Sequence, residues 1–99
     1  MGVDPGTAIT GYGVVRRESS TRFTALGFGA ITTAPDQRME QRLAAIYAEM
    51  QHLITEFQPD CIAVEQLFFN TNVTTAITVG QARGVVLLAA AHSNLAIAE

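Results

Sequence analysis

At 99 residues with 48% hydrophobic content, the chain holds one domain's worth of core at most. Its net charge is -3, and its six basic residues are all arginine, which rules out a basic patch able to neutralise a run of phosphates. No stretch of about 18 uninterrupted apolar residues suggests a membrane span, and the start lacks the basic flank and apolar run of a signal peptide, so a cytoplasmic location is expected. Any nucleic-acid partner must therefore draw its main electrostatic contribution from elsewhere.

Residues 2–4, 12–17 and 23–32 read as three strands, because β-branched and aromatic residues recur there between Gly, Ser and Thr punctuation. They are expected to form an antiparallel meander. From Arg38 the apolar positions Met39, Leu43, Ile46, Tyr47, Met50, Leu53, Ile54 and Phe57 follow a spacing of three and four, the signature of an amphipathic helix. Asp36 is the expected N-cap, Glu40 suits the positive end of the helix dipole, and Pro59 ends the helix. Residues 60–65, DCIAVE, form a short apolar run that predicts a buried strand ending on a carboxylate, with Cys61 as a buried strand residue. As the only cysteine it has no partner for an internal disulfide and no neighbours with zinc-ligand spacing. A second helix is expected from Asn72 to about Ser93 and a last strand over 95–98. The predicted order is β-β-β-α-β-α-β, an α/β arrangement in a single domain over residues 1–99.

Two acids stand out in that order. A helix between strands implies a right-handed crossover, so the strand ending at Glu65 should run parallel to an earlier one. Pairing with the first strand would set Asp4 and Glu65 side by side at the carboxyl edge of the sheet, where open α/β sheets bind ligands. Two carboxylates so close raise each other's pKa unless a cation neutralises them, and hard oxygen ligands at a hydrated site suit Mg²⁺. Pro5 and Gly6 would turn the chain sharply away and leave that site open. The plainer alternative is that Asp4 caps a turn and Glu65 is a solvated strand end. His52 falls off the apolar stripe of the first helix and His92 near the end of the second, so neither reads as a general base.

The segments GVDPGTAITGYGVV, FQPDCIAVEQLFF and GQARGVVLLAA, in that order and spacing, resemble the RuvC family of Holliday-junction resolvases over essentially the whole chain. The resemblance implies an RNase H-like fold, a homodimer and Mg²⁺-dependent cleavage of two like-polarity strands at a four-way DNA junction, with Mn²⁺ as a substitute. It makes Asp4 and Glu65 the catalytic, metal-holding acids; two metal ions about 4 Å apart can then activate water and support the leaving oxygen. Phe68, with Phe69 beside it, matches an aromatic that contacts bases near the crossover, where stacking is worth about 1 to 3 kcal/mol. Asn70, Thr71 and Asn72 would bind phosphates at the start of the next helix; packing under a loop is the alternative for the two rings.

In the second helix, the stretch VVLLAAA over 85–91 is apolar on every face, so one face can cover the sheet while another needs a partner. With Gly80 and Gly84 permitting close approach, the resemblance points to a dimer interface of Gly80, Arg83, Gly84, Leu87 and Leu88, Arg83 serving an intersubunit or sheet-edge ion pair. By the same resemblance the RuvA and RuvB branch-migration proteins are partners. The family's other two metal ligands lie on a C-terminal helix without a match here, so the chain is expected to be an inactive, C-terminally incomplete portion of the domain. Two other readings remain: an ATP-binding phosphotransferase fragment of the actin and sugar-kinase type, from the early Asp-x-Gly-Thr turn, and a non-catalytic dimerising module.

Overall fold

The computed structural model describes residues 1–66 and 73–99. Its elements are β1 (Gly2–Asp4), β2 (Ile9–Arg17), β3 (Phe23–Thr32), α1 (Met39–Phe57), β4 (Cys61–Val64), α2 (Val73–His92) and β5 (Ala96–Ala98). They form one five-stranded sheet in the order β3-β2-β1-β4-β5. β1, β2 and β3 are the expected antiparallel meander, while β4 lies parallel to β1 and β5 parallel to β4. The element order is the predicted one.

Both helices cover the same face of this sheet, because alternate strand residues on that side are the large apolar ones. Val3, Val14, Ile31, Ile62 and Val64 meet Ile46, Met50, Leu53 and Ile54 of α1 and Ala82, Val86, Ala89 and Ala90 of α2 in one buried cluster. Each fully buried Ile, Val or Met contributes about 1.5 to 3 kcal/mol relative to exposure. By length and composition α2 could also cross a membrane. Its buried residues Ala82, Val86, Ala89 and Ala90 form the inner wall of this core.

The opposite face carries small side chains. Register places Gly13 beside Gly2, Gly2 beside Ala63 and Ala63 beside Ala98, so one row across four strands has nothing larger than a methyl group. At its far end Phe28, opposite Gly13, is 87% exposed.

Several boundaries differ from expectation. β2 begins at Ile9 rather than at residue 12, because the ten residues of β3 extend the pairing to Ile9 and Thr32 and override Gly11 on the way. Asp36 does not cap α1. It lies in a turn closed by the Gln37 N–H on the Ala34 carbonyl (3.2 Å), and the helix starts at Met39 with Arg38 as N-cap, whose N–H donates to Gln41 Oε1 (3.4 Å). The other end is as read: Gln58 adopts a left-handed conformation (φ 47°), its N–H donates to the Ile54 carbonyl, and Pro59 follows. β4 is confined to Cys61–Val64, and Cys61 is exposed rather than buried, since the strand's alternation turns Ile62 and Val64 inward.

Candidate metal centre

The site starts from the register of two short parallel strands. Val3 stands opposite Val64, and the Glu65 N–H donates to the Val3 carbonyl (3.0 Å), carrying the ladder one residue past β4. Asp4 and Glu65 therefore follow side by side, on strands whose backbones lie about 4.8 Å apart. Both are exposed, both sit at the carboxyl ends of their strands, and both lie on the face away from the helices, in phase with Gly2 and Ala63. On its other flank Asp4 is paired with Gly11.

These residues line one open cleft of about 520 Å³, whose floor is Gly2, Gly11, Gly13, Ala63 and Ala98 and whose acids are Asp4, Glu65 and Glu99. The third acid is not part of the pair. Ala98 shares the open face with Ala63, so Glu99, one residue on, turns the other way and accepts a hydrogen bond from Arg83 of α2. Arg83 is thus in a sheet-edge ion pair. Among the described residues no group of three or more His, Cys, Asp or Glu side chains comes together. The donor set is two hard-oxygen carboxylates on an open face, which fits a divalent cation that keeps most of its water.

The remaining predicted residues divide. Phe68, Phe69, Asn70, Thr71 and Asn72 lie outside the described residues. On α2, Gly80, Gly84 and Leu88 are exposed along one stripe with Ile77, whereas Leu87 is half-buried against the core and Arg83 half-buried at its ion pair. His52 is exposed on α1, and His92, the last residue of α2, meets the Tyr47 hydroxyl through Nδ1 across the two helices. Neither histidine lines the cleft.

The sequence reading missed the supports of the turn after Asp4. Thr10 Oγ1 donates to the Gly6 carbonyl (2.6 Å) and accepts from the Gly6 N–H (3.2 Å), and a Cβ on Gly6 would fall 2.3 Å from the Ile9 carbonyl oxygen. Thr7, within the turn, is bonded to α2 through the Thr78 carbonyl, and Thr33, backed by Arg42 of α1, donates to the Thr7 carbonyl. Their one visible signal is that Thr7 and Thr10 are polar residues set directly around the motif's turn.

The family model for crossover junction endodeoxyribonuclease RuvC matches residues 1–99. Relatives called crossover junction endodeoxyribonuclease RuvC include that of Ruminiclostridium cellulolyticum, 52% identical over 99 residues, all of this chain and 59% of the relative. That of Moorella thermoacetica is 54% identical over 100 residues, again all of this chain and 59% of the relative. Among solved structures, T. thermophilus RuvC in complex with Holliday junction substrate superposes with a TM-score of 0.90 at 31% identity, over 97% of this chain and 58% of that one. A second Thermus thermophilus RuvC structure gives 0.85. The α/β, RNase H-like fold is the shared one, and the phosphotransferase reading is set aside by a family match that spans the whole chain. The chain spans about 60% of the length of these curated relatives.

Proposed function

The chain belongs to the RuvC family of crossover junction endodeoxyribonucleases, and from that premise we propose that it carries part of a metal-dependent site that resolves four-way DNA junctions. The observation that supports the reading is the side-by-side placement of Asp4 and Glu65 on the open face, at the carboxyl ends of β1 and β4. A bound Mg²⁺ or Mn²⁺ would polarise a phosphoryl oxygen and lower the pKa of water. The two carboxylates hold it and supply the anionic charge that binding requires. The glycine and alanine floor between them and β5 keeps the cleft free of side chains, so a sugar-phosphate backbone can approach the acids closely.

Other parts of the reading follow from the family. Phe68 and Phe69 stack on unpaired bases and Asn70, Thr71 and Asn72 contact phosphates. The stripe of Gly80, Gly84 and Leu88, with Arg83 and Leu87 behind it, meets a second copy of the chain to make the homodimer that two symmetric cuts require. RuvA and RuvB are the corresponding branch-migration partners, and the cytoplasm is the compartment. Further metal ligands and basic DNA contacts belong to the 40% or so of the relatives' length that the chain does not span, so residues 1–99 alone, with net charge -3, bind junctions weakly and do not cut them.

The test is Asp4→Asn in a protein of the relatives' full length, assayed on a labelled four-way junction with Mg²⁺. Cleavage is lost while junction binding persists, because the amide keeps the shape and removes the anion. Retained cleavage would show that Asp4 does not hold metal.

A further inference from the structure

Three side chains without a role in this reading tie the turn that leaves Asp4 to its surroundings. Thr7, only 7% exposed, donates from Oγ1 to the main-chain carbonyl of Thr78 on α2 (2.8 Å). Its own carbonyl accepts from Thr33 Oγ1 just beyond β3 (2.6 Å), and Thr33 Oγ1 accepts from Arg42 Nε on α1 (2.8 Å). The neighbouring Ala8 carbonyl takes the Thr33 N–H (3.1 Å). Arginine only donates, so its bond to Thr33 Oγ1 leaves that hydroxyl's proton to point at Thr7, and the chain of bonds has a single direction.

The bond from Thr7 to Thr78 matters to the turn more than to the helix. A mid-helix carbonyl already has its partner four residues on, so α2 does not depend on the extra donor. The turn gains more: Thr10 closes it from within at Gly6, the Thr7 bond ties it to α2, and a metal-holding carboxylate has to stay within about 0.5 Å of its working position. Resting on the reading of Asp4 as a metal-holding acid, we propose that Thr7 is a positioning residue for the Asp4 carboxylate, anchoring its turn to α2, with Thr33 and Arg42 as the outer members of the same relay. α2 and the acid then move as one piece, and a shift of the helix is felt at the metal.

The test measures metal affinity as well as activity. Mn²⁺ binding to the chain is read from the paramagnetic resonance of free Mn²⁺, with folded fraction followed by circular dichroism, for wild type, Thr7→Val, Thr7→Ser, Thr33→Val and Asp4→Asn. Thr7→Val keeps the shape and removes the hydroxyl; it weakens Mn²⁺ binding by about tenfold, the lower end of what loss of an outer support costs a metal site. Thr7→Ser restores the affinity, and Thr33→Val shows a smaller loss of the same kind, which keeps the proposal testable if Thr7→Val fails to fold. In a protein of the relatives' full length, Thr7→Val raises the Mg²⁺ concentration needed for half-maximal cleavage and leaves metal-free junction binding unchanged. Wild-type Mn²⁺ affinity in both valine variants overturns the proposal, as does a loss that follows the unfolded fraction or that serine fails to restore. Wild-type affinity in Asp4→Asn instead overturns the metal reading of Asp4 beneath it.

Discussion

Arg83, in the third turn of α2, donates to the carboxylate of Glu99 just past the end of β5, joining the helix after residues 67–72 to the rim of the cleft that holds Asp4 and Glu65. The arginine side chain is 22% exposed and the glutamate 46%, so solvent screens the pair in part. Arg83→Ala is therefore expected to lower stability by less than about 1 kcal/mol. The difference from wild type should shrink near 1 M salt, where the screening length falls to about 3 Å. Urea titrations at low and high salt check this.

If Asp4 and Glu65 share one cation, removing either acid removes most of the affinity. Asp4→Asn and Glu65→Gln should each weaken Mn²⁺ binding to the chain strongly, and the double variant should be little worse than the singles. Contact through a common partner makes such effects non-additive. Additive losses in a resonance titration would place the two acids at separate ions.

Gly6 is held by Thr10 on both its N–H and its carbonyl, and a Cβ there would meet the Ile9 carbonyl oxygen at 2.3 Å. The atom that Cβ would meet is backbone, not the movable end of a side chain. Gly6→Ala should cost about 1 to 3 kcal/mol, as overpacking does, and should disturb Asp4 two residues away. Chemical denaturation measures the first effect and Mn²⁺ affinity the second.

Cys61 and Ile62 are neighbours on β4 that face opposite ways, the cysteine exposed and the isoleucine fully buried. Ile62→Ala should cost about 2 to 5 kcal/mol, a large share of the stability of a domain this size. Cys61→Ala should stay within about 0.5 kcal/mol of wild type. The native thiol should also react readily with a thiol reagent; a thiol reactive only after unfolding would put Cys61 in the core.

The exposed stripe of α2 makes a separate claim. Leu88 is 47% exposed and lies one turn from Gly84, so Leu88→Arg should leave the helical circular dichroism signal intact while shifting sedimentation from dimer to monomer. An unchanged mass would move the dimer contact elsewhere.

Some of this was local and therefore legible in the sequence. The three-and-four spacing of Leu43, Ile46, Met50 and Phe57 predicts α1, and Pro59 predicts its end, because helix periodicity and backbone sterics act within a few residues. The motifs around Asp4 and Glu65 likewise single out the two acids without a structure. Their adjacency needed the fold, since it depends on Val3 meeting Val64 across more than sixty residues of chain, and a register slip of one would turn Glu65 to the helix side. The same parity exposes Cys61, which its apolar surroundings had suggested was buried, and it turns Glu99 away from the pair. Asp36 has the right chemistry for a cap, but the turn over 34–37 delays the helix by two residues. Of the links from Thr7 to Thr78, Thr33 and Arg42, the sequence shows only that a polar residue stands in the turn after Asp4. A hydroxyl's partner is decided by which carbonyl the tertiary structure brings within 3 Å of it, and here that carbonyl belongs to a helix seventy-one residues away.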